Sequence, residues 1–220
     1  MIKENLINVK SELPKNVTLV AVSKTKPNDL ILEAYATGHK DFGENRVQEL
    51  QTKVQELPED IRWHFIGHLQ RNKVKYIAPF VYLIHGVDSY KLLKEVNKQA
   101  KKHDRIISVL LQFHIAEEDT KFGFDFDEAK EMLSSESFIE LQHISIKGVM
   151  GMATFTDDKE QVRREFKNLN DYFMVLKSHF FKFNDDFSIV SMGMSGDYTI
   201  AIEEGSNMVR VGSAIFGERN

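Results

Sequence analysis

Apolar, β-branched runs recur along this chain at nearly regular intervals, and a helix-like stretch fills each gap between them. Runs of the kind expected for buried strands cover 17–23, 63–67, 81–87, 106–113, 144–150, 187–192 and 208–215. The short segment 40–43 adds one between the first two helices, making eight strands. Helical spacing of apolar residues marks 28–37, 45–57, 89–102, 126–133, 158–177 and 195–204. A shorter helix is expected over 69–77, and an extra one, 2–13, ahead of the first strand. Pro27 suits the opening turn of the helix that follows it and Gly38 its end. Asp88-Ser89 offers a cap for 89–102. Strands buried on both faces and joined by crossover helices imply an α/β fold with an all-parallel sheet. Eight such units in 220 residues predict a closed (β/α)8, or TIM, barrel with trimmed loops. A doubly wound open sheet would carry a glycine-rich first turn, whereas Ser23-Lys24-Thr25-Lys26-Pro27 has no glycine. No Pro/Gly/Ser-rich linker interrupts the pattern, so residues 1–220 are expected to form a single domain.

Composition excludes several chemistries. The formal net charge of -4 provides no basic field to gather nucleic acid or an anionic membrane. Without cysteine there is no thiolate nucleophile, disulfide or cysteine-ligated zinc. No apolar stretch approaches the roughly 20 residues of a membrane span, and Met1-Ile2-Lys3-Glu4-Asn5 lacks the apolar core of a secretory signal. A cytoplasmic protein is expected.

In such a barrel the chemistry sits where the strands end at their C-terminal side. Lys24 ends the first strand there, where partial burial disfavours an ammonium and favours the nucleophilic amine. The turns after the seventh and eighth strands are rich in small residues: Ser191, Gly193, Gly212 and Ser213. Such turns let backbone N–H groups approach an anion and commonly hold phosphate. A lysine amine beside a phosphate cradle points to a phosphorylated aldehyde, with pyridoxal 5'-phosphate (PLP) the foremost candidate. PLP needs a Schiff-base lysine, a phosphate site and a partner for its ring nitrogen. Arg210 is placed to be that partner, and being permanently protonated it can only donate to the nitrogen. A pyridine held that way is a weak electron sink. The plainer alternative pairs a buried Arg210 with Glu44 or Asp197. His64 and His68 stand four apart, but on a strand and loop without the glutamate of a zincin. His64 is therefore expected in the core, His68 at the pocket edge, and no metal is expected. The methionines at 150, 152, 192 and 194 are expected to pack the barrel mouth.

The blocks Ala21-Val22-Ser23-Lys24-Thr25-Lys26-Pro27, Phe42-Gly43-Glu44-Asn45, Trp63 to Gln70 with Asn72-Lys73, and Gly148 to Ala153 resemble the pyridoxal phosphate homeostasis family. So does the tail from Ser191-Met192-Gly193-Met194-Ser195-Gly196-Asp197 to Val209-Arg210-Val211-Gly212-Ser213 and Ile215-Phe216-Gly217. The resemblance implies a barrel of the alanine racemase N-terminal type. It implies PLP as an aldimine on Lys24, Asn45 near the cofactor ring, and Arg210 at the ring nitrogen. Ser191 with Met192, and Gly212 with Ser213, would hold the phosphate. The implied role is control of the intracellular PLP pool, as carrier or reservoir without turnover, with PLP-dependent apoenzymes as possible recipients. A monomer is expected, because the second domain through which two-domain racemases dimerise has no room in this chain. The alternatives are a genuine PLP enzyme, such as an amino-acid racemase or weak decarboxylase, and a cofactor-free Schiff-base aldolase acting on a phosphorylated sugar.

Overall fold

The computed structural model describes residues 1–117 and 122–218. Eight strands pair in chain order, all parallel, and the last closes on the first. They are β1 (Thr18–Val22), β2 (Asp41–Glu44), β3 (Arg62–Phe65), β4 (Leu83–Val87), β5 (Ile107–Gln112), β6 (Ile144–Met150), β7 (Ile189–Ser191) and β8 (Met208–Val211). The helices are α1 (Ile2–Glu12), α2 (Asn28–Tyr35), α3 (Val47–Glu56), α4 (Val74–Ile77), α5 (Tyr90–Lys102), α6 (Phe126–Ser134), α7 (Glu136–Ile139), α8 (Lys159–His179), α9 (Tyr198–Glu203) and α10 (Ser213–Phe216). The expected TIM barrel and its preceding helix are therefore present. α1 buries Ile2, Leu6 and Val9, one helical stripe, and lies against α2 and α10.

Two cores hold the barrel. Outside the sheet, Phe42, Phe65, Phe113, Phe166 and Phe187 are fully buried between strands and helices. Inside it, Val20, Leu83, Leu110, Met150 and Met208 fill the lumen. Side chains alternate between these layers because successive residues of a strand face opposite ways. The β5–β6 register slips past Lys147, where Val109 faces Ile146 but Leu110 faces Gly148. Gly148 permits this: its φ is +152°, and a Cβ would stand 1.8 Å from the Ile189 carbonyl oxygen.

Several element ends differ from expectation. The eighth strand does not run to Ile215. It stops at Val211, because the Gly212 N–H leaves the ladder to donate to Ser195 Oγ (3.2 Å), and Ser213 opens α10 instead. The helix expected from 195 starts at Tyr198, since Asp197 Oδ1 accepts the Met194 N–H (2.6 Å) and folds the intervening residues into a turn. The single-turn α7 was not expected. The caps are as read: Ser89 Oγ accepts from the Leu92 N–H, and Asp158 Oδ1 from Glu160 and Gln161 at 3.0 and 3.1 Å. Asp157-Asp158 is thus a helix start, as expected, and Glu203 and Glu204 pair with Arg163 at the surface.

Candidate functional site

A cavity of about 900 Å³ opens at the C-terminal mouth of the barrel. Lys24, Asn45, Arg210, Gly212 and Ser213 all lie on its wall. They come from β1, β2 and β8, so parallel pairing alone brings their ends to one rim.

Lys24, half-buried, follows the end of β1 in a tightly bracketed turn. Thr25 has φ +64°, an outlier for a β-branched residue. Its N–H donates to Glu49 Oε1 (2.6 Å). Beneath it, the buried Lys53 ammonium donates to the Ser23 carbonyl (2.8 Å), Glu44 Oε1 (2.8 Å) and Glu49 Oε1 (2.6 Å). Ser23 Oγ donates to the same Glu44 oxygen (2.6 Å). Burial pushes the Glu44 carboxyl up to about 7, against the opposing pull of Lys53. The residues on both sides of Lys24 are thus held by α3 and β2, which fixes the direction of its stem.

Asn45 continues β2, and its Oδ1 is buried without a hydrogen-bond partner among the described residues. Gly67 lies against its backbone, where a Cβ would come within 2.5 Å of the Asn45 carbonyl oxygen. Arg210 is 3% exposed. Its Nη1 donates to Ser191 Oγ (2.7 Å) and its Nη2 to the Gly151 carbonyl (3.1 Å). Burial lowers its pKa to about 10, with the Asp197 charge opposing. The alternative pairing with Glu44 does not occur, because Glu44 is engaged by Lys53.

Ser191 and Met192 do not reach the wall. Ser191 is fully buried beneath Arg210. Met192 packs in the outer core, its N–H donating to the Met208 carbonyl (3.2 Å) and its own carbonyl accepting from Ser206 Oγ (2.7 Å). The wall beyond β7 is made instead by Met194, Ser195 and Gly196. Ser195 Oγ ties this turn to Gly212, so the two small-residue turns act as one cradle. From the sequence Ser195 both closes the seventh-strand segment and opens the next helix, which takes in Gly196, and neither is among the expected phosphate ligands. The available signal was a serine-glycine pair after a strand, a turn signature.

The remaining rim is aromatic and polar. His68 stacks on Phe122 with ring centroids 3.8 Å apart and bonds Asp88 at 2.9 Å. Phe155 is 98% exposed at the lip. His64, as expected, lies in the core and away from His68, bonded to Asp41 and His85. Met150 and Met192 are buried, while Met152 and Met194 line the mouth.

Residues 1–220 match the family described as "Alanine racemase, N-terminal domain". The pyridoxal phosphate homeostasis protein of Aquifex aeolicus is 40% identical over 202 residues, covering 91% of this chain and 86% of that protein. The protein of the same name from Vibrio alginolyticus is 39% identical over 212 residues, covering 94% and 88%. PipY of Synechococcus elongatus, solved with PLP bound, superposes with a TM-score of 0.88 at 33% identity, covering 99% of this chain and all of that one. With a closed barrel and 39–40% identity over more than nine-tenths of its length, the chain belongs to the pyridoxal phosphate homeostasis protein family.

Proposed function

We propose that this protein binds PLP at the barrel mouth and serves in its homeostasis, as carrier or reservoir without turnover of its own. The observation that carries this reading is the convergence of Lys24, Asn45, Arg210 and the tied Ser195–Gly212 cradle on one cavity. The donor set fits the cofactor. Lys24 offers the amine, and Arg210 a donor to the ring nitrogen. The Asn45 amide, with its unsatisfied buried oxygen, offers a polar partner beside the ring. Gly196, Gly212 and Ser213 line the cavity, where their small size would let a phosphate come close to backbone. When bound, PLP supplies an aldehyde that an amine captures reversibly, and a ring able to withdraw electrons.

Arg210 does not surrender a proton, so it would leave the ring nitrogen of bound PLP unprotonated and the ring a weak sink. That favours holding the cofactor over carbanion chemistry. Among the described residues no helix is long and apolar enough to cross a membrane, and no cluster of His, Asp and Glu is placed to hold a metal. Delivery from a monomer to PLP-dependent apoenzymes in the cytoplasm completes the proposal.

Reconstitution with PLP tests it. The protein should acquire a visible absorption band that borohydride fixes covalently and that Lys24→Ala abolishes. A protein that stays colourless with PLP would refute the binding reading. Incubation of the loaded protein with single L-amino acids in deuterated water should leave the α-proton in place. Rapid exchange with loss of chirality would instead establish a racemase.

A further inference from the structure

A line of polar side chains crosses the barrel lumen, among apolar neighbours such as Val20, Leu83 and Met208. It starts at Asp41 at the entry to β2, which Arg62 grips through two hydrogen bonds. Asp41 Oδ1 meets His64 Nε2 at 3.0 Å, and His64 Nδ1 meets His85 Nε2 at 2.9 Å. His85 Nδ1 then meets Ser191 Oγ at 3.0 Å, and Ser191 Oγ receives Arg210 Nη1 at 2.7 Å. The His85–Ser191 bond joins β4 to β7, strands separated by β5 and β6, so it spans the interior rather than following the sheet. His64, His85 and Ser191 are fully buried.

The chemistry at the two ends sets every proton between them. A carboxylate only accepts, so His64 must donate through Nε2. A neutral imidazole carries one proton, which leaves His64 Nδ1 to accept from His85 Nε2–H. His85 Nδ1 must then accept from the Ser191 hydroxyl. A guanidinium only donates, so Ser191 Oγ accepts from Arg210. All four bonds point the same way, and every ring nitrogen and hydroxyl oxygen is engaged. Burial holds both histidines toward the neutral form, with Asp41 opposing at His64 and with His64 and Arg210 adding to the effect at His85. Same-sense chains in a low-dielectric interior polarise one another. If only shape were required here, an apolar filling like that of Val20, Leu83 and Met208 would serve.

We propose that Asp41, His64, His85 and Ser191 are positioning residues for Arg210, a one-way hydrogen-bond relay that brings a distant negative charge to bear on the guanidinium and sets its donation into the cavity. The proposal rests on the reading of Arg210 as the partner of the PLP ring nitrogen. Asp197, which lies on the cavity wall, also bears on Arg210 through its charge. Ser191 thereby takes a role through Arg210 rather than at the phosphate.

The test compares PLP with its deaza analogue, in which a C–H replaces the ring nitrogen. In wild type both should bind at Lys24. His85→Phe breaks the relay, leaves Ser191 and Arg210 unpositioned, and should weaken PLP binding by about fivefold to tenfold, the net contribution of about one hydrogen bond. It should leave the analogue unchanged. His85→Gln, which can both accept and donate, should restore PLP binding to near wild type. Asp41→Asn, which keeps the shape and removes the charge, serves as a second variant if His85→Phe does not fold. Equal weakening of both ligands, or of neither, overturns the relay. Failure of wild type to bind either ligand overturns the PLP reading itself. Independently of any ligand, nitrogen-15 NMR of the protein without cofactor should find His64 and His85 neutral and protonated at Nε2. The opposite tautomer at either residue overturns the proposal.

Discussion

Lys53→Met isolates the bracket that aims Lys24. Lys53 is 5% exposed, and its ammonium satisfies the Ser23 carbonyl and one oxygen each of Glu44 and Glu49. Methionine fills similar volume but donates nothing. Glu44 is fully buried, and its Oε2 lacks a partner among the described residues. Where Glu44 is neutral, the substitution removes hydrogen bonds and costs about 1–3 kcal/mol. Where it is ionised, a buried carboxylate loses its counter-ion, and the cost rises to about 3–5 kcal/mol. The pH dependence follows from linkage. In the wild type the folded-state pKa of about 7 exceeds the ordinary 4.5, so folding binds the proton more tightly than the unfolded chain does. That contribution is fully present below about 4.5 and is lost as pH rises through about 7. Lys53 pulls the value down, so its removal moves the folded-state pKa higher still. The variant therefore keeps losing stability above about pH 7, at about 1.4 kcal/mol per pH unit, where this group's contribution in the wild type has levelled off. Urea titrations near pH 6 and near pH 9, with unchanged m-values, should show a gap between variant and wild type about 2 kcal/mol wider at the higher pH. A gap of equal size at both pH values would refute the account of Glu44 as a buried acid held by Lys53.

The other predictions concern the rim and its supports. Arg210→Glu should place an acceptor at the ring nitrogen, protonate it and displace the visible maximum of bound PLP; an unchanged spectrum at full occupancy would make Arg210 structural. Thr25→Gly should relieve a left-handed strain worth about 1–2 kcal/mol, partly offset by glycine's entropy, for a net gain of up to about 1 kcal/mol in urea melts. The same variant should slow the appearance of the PLP band, because Lys24 is no longer pre-aimed; a faster rise would contradict the positioning argument. Asp158→Ala should cost about 1 kcal/mol by leaving the first N–H groups of α8 uncapped, measured by the same melts. It should leave PLP affinity unchanged.

The barrel was legible because its signals are local. A strand covered on both faces tends to be a continuous apolar run, and β1 and β3 to β8 follow from that rule, with β2 fitted between the first two helices. Lys24 was legible for the same reason, as a cation at the end of such a run. Where local signals conflict, boundaries were misplaced. Apolar residues from 208 to 215 read as one strand, although Gly212 breaks it to bond Ser195, a residue distant in sequence. Ser191 looked like a phosphate ligand because small hydroxyl residues at strand ends often are. Its side chain lies at depth, fully buried and bonded to Arg210, which local sequence does not reveal.

His85 illustrates the limit best. It stands within an apolar strand, between Ile84 and Gly86, with nothing nearby to distinguish it from a tolerated polar residue. Its partner His64 is reached when β3 pairs with β4, and Ser191 only when β4 and β7 face each other across the closed lumen. Lys53, likewise, reads as an ordinary helix lysine until α3 packs it against Glu44. Fold class and the lysine at the end of the first strand thus follow from the order of residues alone, since periodicity and strand ends are short-range properties of a chain. Which polar groups are buried together, and hence which charges and protons they can hold, was decided by barrel closure, because burial and hydrogen bonding act between atoms brought close in space by strands far apart in sequence.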